Sequence, residues 1–298
     1  KILTTKGWVE LRRISRHHEV MIQPSAGSFS ENKRLPVNCN YLNNFTKRAK
    51  LNLPSMWSKE LGQVLGWLIG DGWLRSGDKN CRVGFSFGEE DRAVLNYLKP
   101  ILNRWYGKEI KEINRGNNSY HLSYHGKGFV EFFKLLGVKP VKAVNKVIPM
   151  SIYTAPREAI IGFLQGLFSS DGTISLWEAN GTIYIRLGAN SEKLLKEVQL
   201  LLLNFGIKSK IYNRNRPPQK KFSYTTIHGE KRDYLASGIF FELQISRRNI
   251  LNFLSNIGFM GDKFVEKIDI LRSRNFYSDH PHDKVKSIER YGKEVVYN

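Results

Sequence analysis

The chain has 298 residues, of which 47 are Lys or Arg and 27 are Asp or Glu, giving a formal net charge of +20. Its 41% hydrophobic and 12% aromatic residues suffice for a folded core, which excludes a disordered basic tail. The charge favours a polyanionic partner, the alternative being a generically basic or ribosome-associated protein. No apolar run is long enough to span a bilayer. The two cysteines form no CxxC pair, which argues against zinc and predicts a reducing, intracellular location in the cytoplasm or nucleoid.

The N-terminal segment contains short β-type runs around a Gly7-Trp8 turn. Residues 4–24 resemble part of an intein splicing domain, and residues 1–50 are predicted to be a splicing-domain remnant and linker. Residues 284–297 resemble the strands near an intein's C-terminal end, and residues 278–298 are predicted to be a C-terminal splicing-domain remnant. Residue 1 is Lys, not Cys or Ser, so we expect this chain not to splice. Residues 25–57, with the charge run Lys47 to Lys50, indicate a linker or a DNA-tracking arm, with a solvated loop as the alternative.

Two apolar helical segments each run into an Asp-Gly pair, at Asp71-Gly72 and at Asp171-Gly172. The acids are 171 − 71 = 100 residues apart. Small residues precede both at intervals of four, which places them on one helix face and lets two helix backbones approach closely. The predicted interface consists of Gly62 and Gly66 in one helix and Gly162 and Gly166 in the other.

An acid in the last turn of a helix is unfavourable, because the free carbonyl groups there already carry partial negative charge. If the glycine faces meet, Asp71 and Asp171 emerge side by side at the same end. Together with the backbone carbonyls of Gly70 and Ser170 they form an all-oxygen ligand set, which Mg²⁺ or Ca²⁺ prefers. The alternative is that each Asp-Gly pair is only a helix-ending turn.

The doubled motif resembles that of the LAGLIDADG homing endonucleases in their single-chain form, over roughly residues 58 to 275. Asp71 and Asp171 occupy the position of the family's metal-binding acid, while Ile69 and Ser169 replace the other acid. The resemblance implies a monomeric, Mg²⁺-dependent endonuclease with no obligate protein partner. Such an enzyme hydrolyses both strands of a long, asymmetric double-stranded DNA target and leaves short 3′ overhangs. Ca²⁺ can occupy such a site without supporting cleavage.

Each copy of the motif is followed by a similar pattern of elements. Polar and apolar residues alternate at 82–87 and 183–187, which predicts strands. A helix follows in each copy, at 89–106 and from a cap at Ser191 to about residue 205, and then a polar strand at 108–115 or 208–214. The predicted fold class is α+β, with two pseudosymmetric αββαββα repeats that form a DNA-binding β-saddle around the central two-helix interface, flanked by small β-rich segments. The repeats are assigned to residues 51–155 and 156–277. An insertion in the second repeat is predicted between Pro217 and Gly238.

Alternate residues of the predicted strands face away from the helices and could contact base edges or phosphates. The alternative is an ordinary solvated sheet face. The candidate DNA-binding residues are Arg82, Ser86, Lys111, Asn114, Arg115, Tyr184, Arg186, Lys210 and Arg214, with Lys220 and Lys221 in the insertion and Lys139 and Lys142 as backbone clamps.

A basic residue in each half is expected from the resemblance, beside the catalytic Asp71 and Asp171. Lys146, in a Lys-Val-Ile-Pro segment before the second motif, matches a family pattern. Its alternative is a surface lysine ahead of a proline turn. In the other half we assign this role to Lys263, with Lys267 and Arg247 as rivals.

Three other functions remain open from the sequence. An RNA-binding intron maturase could keep this fold and lose the metal site. A protein-splicing element could carry the nuclease as a passenger. A DNA-binding but inactive intein remnant would keep the basic surface alone.

Overall fold

The computed structural model describes residues 1–22, 27–45, 50–77, 80–177, 182–217, 221–225, 229–235, 238–289 and 292. The helices are α1 (Lys59–Asp71), α2 (Arg92–Tyr106), α3 (Lys127–Leu135), α4 (Arg157–Asp171), α5 (Glu192–Leu203), α6 (Asn249–Asn256) and α7 (Val265–Arg272). The strands are β1 (Ile2–Thr4), β2 (Gly7–Val9), β3 (Glu19–Met21), β4 (Gly72–Ser76), β5 (Cys81–Gly88), β6 (Ile113–Asn114), β7 (Ser119–His125), β8 (Gly172–Trp177), β9 (Thr182–Ala189), β10 (Lys210–Asn213), β11 (Lys221–Thr225), β12 (Lys231–Leu235), β13 (Phe241–Ser246) and β14 (His282–Lys284). Separate helices and antiparallel sheets confirm the α+β class. Within the described ranges, no helix combines the length and apolarity needed to cross a membrane.

Helices α1 and α4 form the centre of the molecule. Ser58 caps α1 by accepting a hydrogen bond from the Leu61 backbone N–H at 3.1 Å. Every residue from 61 to 70 in α1 and from 159 to 169 in α4 is buried, as expected for a helix that is enclosed on all sides.

The two central helices run parallel and touch through their glycines. A Cβ atom added at Gly62 would overlap the carbonyl oxygen of Ala159, and one at Gly66 would overlap that of Phe163. The same holds in the other direction for Gly162 and Gly166, whose added Cβ atoms would overlap backbone oxygens of α1. Any side chain larger than hydrogen at these positions would force the helices apart.

Each repeat contributes one four-stranded antiparallel sheet with the same strand order. The first sheet runs β4-β5-β7-β6, and the second, read from its opposite edge, runs β8-β9-β13-β10. The register also agrees: Phe85 lies opposite Gly72 and Leu122, and Leu187 lies opposite Gly172 and Leu243. This shared register defines equivalent positions in the two sheets.

The second repeat differs from the first by an inserted β-ribbon, β11 and β12. In the first repeat a short turn closes the β6–β7 hairpin, with Arg115 N donating to Ser119 O at 2.9 Å. In the second repeat the equivalent bond, from Arg214 N to Phe240 O at 2.8 Å, encloses the much longer segment 215–239. The β11–β12 ribbon lies within the predicted insertion. Of the longer polar strands predicted at 108–115 and 208–214, only Ile113–Asn114 and Lys210–Asn213 are strands.

The two ends of the chain meet in a separate sheet with the strand order β14-β3-β1-β2. Leu3 pairs with Trp8, and Asp283 pairs with Val20, so a C-terminal strand completes an N-terminal hairpin. The segments assigned to the splicing-domain remnant therefore pair in space. Residues 293–298, which include the end of the predicted C-terminal remnant, lie outside the described residues.

A candidate metal centre and nucleic-acid interface

Asp71 and Asp171 end the two central helices at the same end of the pair. The Ser170 side chain lies against Gly70, where an added Cβ would overlap the Ser170 hydroxyl. That same Cβ position is 3.1 Å from the carboxylate oxygen Oδ2 of Asp171. The acid of α4 therefore lies beside the last turn of α1.

Both carboxyl groups are easier to protonate than an ordinary aspartate. Burial raises the pKa of Asp71 to about 6, with a further increase from the negative charge of Asp91. Burial raises the pKa of Asp171 to about 7, and Asp71 adds to this effect. Protein surrounds Asp171 closely although the residue keeps an exposed edge. The site therefore concentrates negative charge at a place that a ligand can reach.

Lys146 lies at the C-terminal end of α1 and interacts electrostatically with both acids. Its Nζ donates to the carbonyl oxygen of Gly70 at 2.6 Å, and the carbonyl oxygen of Gly72 is 3.4 Å away. An ammonium group at a helix C-terminus is electrostatically favourable. Burial lowers the pKa of Lys146, while Asp171 and Asp71 oppose this change. The Gly70 carbonyl thus already has a donor, and its metal-ligand role, which would use its second lone pair, stays a prediction.

Two side chains of the second repeat hold the segment that carries Lys146. Ser191, which caps α5, donates its hydroxyl to the Lys146 carbonyl oxygen at 2.7 Å. The Glu197 carboxylate accepts a hydrogen bond from the Ile148 backbone N–H at 2.8 Å. Glu197 has no distinctive sequence pattern, because its role depends on a backbone partner far away in the chain.

Lys263 approaches the same acids from the other repeat. Its Nζ is 3.2 Å from the Asp91 carboxylate and 3.4 Å from that of Glu90. Its charge lowers the pKa values of both Asp71 and Asp171.

The loop before Lys263 is fastened to α4 by two side chains. The Gln165 amide donates to the carbonyl oxygens of Ile257 and Phe259, at 3.1 and 3.3 Å. The Ser169 hydroxyl accepts from the Met260 backbone N–H at 2.7 Å. Neither rival of Lys263 is placed in this way. Lys267 donates to the carbonyl oxygen of Ile174 at 3.2 Å, and Arg247 pairs with Asp279 at 3.6 Å.

The donor chemistry of the centre fits a hard divalent cation. Two carboxylates at the ends of adjacent helices offer oxygen ligands, and their proximity is unfavourable without a positive partner. In the described part of the chain, no group of three or more His, Cys, Asp or Glu side chains could hold a metal ion. Further ligands would have to come from backbone carbonyls, water or substrate.

The outward face of the first sheet is strongly basic. Arg82 lies opposite Arg75, and its Nε is buried without a hydrogen-bond partner. Arg115 Nε donates to Nδ1 of His121 at 3.2 Å. Burial, together with Arg115 and Arg82, lowers the pKa of His121, so its ring is neutral and can accept this bond. The positive charges of Arg75, Arg82 and Arg115 act on one another at this face, and such a cluster suits an incoming anion.

The outward face of the second sheet carries a buried acid between two arginines. Glu242 is 4% exposed. Its carboxylate lies 3.2 Å from Nη1 of Arg186 and 3.6 Å from Nη2 of Arg214. The sequence analysis selected both arginines but not Glu242, because strand alternation does not reveal a carboxylate that is buried by its neighbours.

The remaining predicted DNA-binding residues are distributed over the same surfaces. Asn114 accepts a hydrogen bond from the Gly116 backbone N–H at 2.8 Å and so helps to form the turn. Ser86 and Tyr184 are half-buried, whereas Lys111, Lys139, Lys142 and Lys210 are exposed. Lys220 lies outside the described residues, and Lys221 belongs to β11. Their contacts with DNA stay predictions.

The fold and the site define a pseudosymmetric, two-repeat α+β protein with one acid from each central helix. Residues 158–258 match the LAGLIDADG-like domain family. The matched segment contains the second copy of the doubled motif, in agreement with the resemblance of the chain to LAGLIDADG proteins.

Several known proteins are similar to this chain. An uncharacterised protein of Methanocaldococcus jannaschii is 26% identical over 78% of this chain and 26% of its own length. A DNA polymerase of a Thermococcus species is 30% identical over 80% of this chain and 12% of its own length. The tRNA-splicing ligase RtcB of Pyrococcus abyssi is 27% identical over 71% of this chain and 26% of its own length. The chain thus spans about a quarter or less of these relatives. The crystal structure of I-DmoI in complex with DNA and Ca is 18% identical, with a TM-score of 0.46, covering 71% of this chain and 97% of that chain.

Proposed function

We propose that the protein is a site-specific endonuclease that hydrolyses both strands of a long, asymmetric double-stranded DNA target and leaves short 3′ overhangs. The observation that carries this proposal is the pairing of Asp71 and Asp171 at adjacent helix ends, with Lys146 and Lys263 beside them. The basic outward faces of the two sheets and the net charge of +20 support a nucleic-acid substrate. The match of residues 158–258 to the LAGLIDADG-like domain family supports the same class of activity.

Asp71 and Asp171 would hold divalent cations, and Mg²⁺ is the ion that we propose for cleavage. Bound ions of this kind supply positive charge for the developing phosphorane and lower the pKa of a coordinated water. Because the acids come from two pseudosymmetric helices, each can serve one scissile phosphate. Ca²⁺ fits the same oxygen ligands and, in our proposal, occupies the site without supporting cleavage.

The lysines contribute in two ways. Lys146 places an ammonium group beside both carboxylates, where it orients water and stabilises negative charge that develops on the phosphate. Lys263 adds a second positive charge from the opposite side, held by Asp91. The loop that carries each lysine contacts the other repeat. Both repeats must therefore be folded and packed together for the centre to be complete.

Because both repeats are in one chain, we propose that the protein acts as a monomer. Each sheet would read one half of the target. The differences between the sheets then permit an asymmetric sequence.

Cleavage of a randomised double-stranded DNA library tests this function. We expect incubation with Mg²⁺, followed by sequencing of the broken ends, to recover one long motif with paired nicks. Asp71→Asn and Asp171→Asn should each lower the rate of double-strand cleavage by at least about 10²-fold while DNA binding remains. Binding without any cleavage would indicate the inactive remnant, and preference for structured RNA would indicate the maturase alternative. Cleavage by Asp71→Asn at the normal rate would refute the metal assignment.

We further propose that the chain derives from an intein. The joining of β14 to β3 supports this origin, because it unites the two end segments in one sheet around the nuclease repeats. Similarity to small parts of unrelated proteins, a polymerase and a ligase, also supports an inserted element. The coding sequence on either side of the segment provides the test. If the two flanks do not join into one continuous protein when the segment is omitted, the intein origin is wrong.

A further inference from the structure

We propose that Glu242 determines the base preference of the second sheet by fixing the orientation of Arg186 and Arg214. This inference rests on the proposed function, since it assigns a role within the DNA-reading surface. It concerns a residue of β13 that is neither one of the paired acids nor one of the lysines beside them.

A carboxylate is unexpected on a surface that is meant to bind a polyanion. Glu242 lies in β13 beside Tyr212 of β10, on the outward side of the sheet. Its side chain is only 5% exposed, whereas those of Arg186 and Arg214 are 44% and 46% exposed. The acid therefore lies beneath the two guanidinium groups, which keep solvent-accessible area above it.

Burial prevents Glu242 from contacting a base directly. It can act only through the groups that cover it. Arg186 donates from Nη1 to one carboxylate oxygen at 3.2 Å, and Arg214 lies 3.6 Å from the other. The Gln244 amide also donates to Glu242. The two positively charged guanidinium groups beside the carboxylate offset its negative charge, so the acid does not repel a phosphate strongly.

Fixing an arginine in advance improves its discrimination between bases. A guanidinium group is a planar fork that matches O6 and N7 of guanine when it is held edge-on. A free arginine side chain loses rotamer entropy when it binds, and a fixed one has already lost it on folding. The Arg214 guanidinium is further restricted because it lies 5.0 Å from the centre of the Tyr212 ring. The two arginines are thus preorganised for guanine at two positions of one half-site.

The first sheet has a different group at the equivalent position. His121 lies opposite Ser86 and Ile113, as Glu242 lies opposite Gly188 and Tyr212. There the partner of Arg115 is a neutral imidazole ring, and among the described residues no carboxylate pairs with Arg75, Arg82 or Arg115. The inference therefore predicts two fixed guanine contacts in the second half-site only.

Glu242→Gln tests the proposal because it gives two effects of opposite sign. Selection from a randomised double-stranded DNA library should show a fall in guanine preference of roughly ten-fold at two positions of the second half-site. Affinity for unrelated DNA should rise, because the variant has one negative charge less on its DNA-facing surface. If Glu242 had a purely structural role, the substitution would lower both the guanine preference and the affinity for unrelated DNA. Unchanged guanine preference in the variant would overturn the proposal.

Two further variants keep the test decisive if Glu242→Gln fails to fold in thermal unfolding. Arg186→Lys and Arg214→Lys preserve the charge but remove the planar fork, so each should abolish guanine preference at one of the two positions. If neither does, the proposal is wrong. His121→Gln is the matched control at the equivalent position, and it should alter preferences in the first half-site only. A wild-type protein that selects no DNA sequence would refute the proposed function, whereas selection without guanine at these positions would refute this inference alone.

Discussion

The two repeats agree where they pack against each other and differ where they face outward. Both central helices bury glycines against backbone, and both sheets share one strand order and one register. On the outward faces, Gly84 under the Trp73 ring corresponds to Arg186, and His121 corresponds to Glu242. Packing between the repeats therefore constrains the inner residues to be alike, while the outer residues are free to differ. That division allows one duplicated framework to present two unlike surfaces.

The two lysines near the acids show the same contrast at close range. Each follows the third helix of its repeat and contacts the other repeat, Lys146 beside Ser191 and Lys263 beside Asp91. Lys146, however, donates to carbonyl oxygens, whereas Lys263 is paired with two carboxylates. The connection after the third helix thus gives one lysine whose charge is available and one whose charge is partly neutralised.

The largest expected effect separates these lysines. Lys146→Met should lower the single-turnover cleavage rate in Mg²⁺ by about 10²-fold to 10³-fold, and Lys263→Met should lower it less, because Asp91 and Glu90 already compensate the Lys263 charge. Rapid-quench assays with saturating protein would measure both. Lys142→Met, an exposed residue of the same connection as Lys146, is the control and should weaken binding without changing the rate. Equal losses for the two lysines would contradict the comparison.

The next effect tests the symmetry of the helix interface. Gly66→Ala and Gly166→Ala should each destabilise the fold by about 3 kcal/mol, because the added methyl group overlaps a backbone oxygen that cannot move alone. The gain in helix propensity from Gly to Ala, about 1 kcal/mol, is too small to offset this. Chemical denaturation would measure the free energy of unfolding. Gly77→Ala is the control, since its nearest neighbouring atom would be 3.9 Å away. A stable Gly66→Ala protein would show that the helices do not pack as described.

A smaller effect is expected from making the hairpins alike. Replacing residues 215–239 by Gly-Asn-Asn, which stands at 116–118 in the first repeat, should leave the unfolding temperature nearly unchanged, because the bond between Arg214 and Phe240 already closes the hairpin. DNA affinity should fall by roughly ten-fold, since basic residues of the insertion are lost. Footprinting should show the loss at the end of the second half-site only. If the DNA footprint became shorter at both ends of the target, the ribbon would not act on the second half-site alone.

The smallest expected effect is the pH dependence of stability that comes from protonation of the paired acids when no divalent cation is bound. Asp171 has a pKa raised to about 7, so the folded state binds its proton more tightly than the unfolded state does. Stability contributed by this group is present at low pH and is lost as pH rises from about 4 through 7. Asp171→Asn should therefore unfold at a temperature roughly 2 to 4 °C higher than wild type at pH 8 in chelator, with the difference vanishing near pH 4. Thermal scans across pH would measure this. A stabilising effect that persists unchanged at pH 4 would contradict the pKa assignment.

Sequence reasoning was most successful where a local pattern carries the information. The glycine spacing and the Asp-Gly pairs led to the central helices, and polar and apolar alternation led to β5 and β9. The Ser191 cap was also predicted correctly, because capping depends on neighbouring residues. The predicted lengths of the edge strands β6 and β10 were wrong, because an edge strand pairs on one side only and can separate from its partner before its own polar pattern ends.

The amino-acid sequence alone determined the duplicated framework, the helix contacts and the acids that end them, because each is encoded by residues a few positions apart. Only the tertiary structure decided that Lys263 pairs with Asp91, that Glu197 holds the Lys146 segment, and that Glu242 lies beneath two arginines. These contacts join residues dozens of positions apart through single ion pairs or hydrogen bonds. No periodic pattern accompanies a single long-range contact, so folding alone brings such partners together.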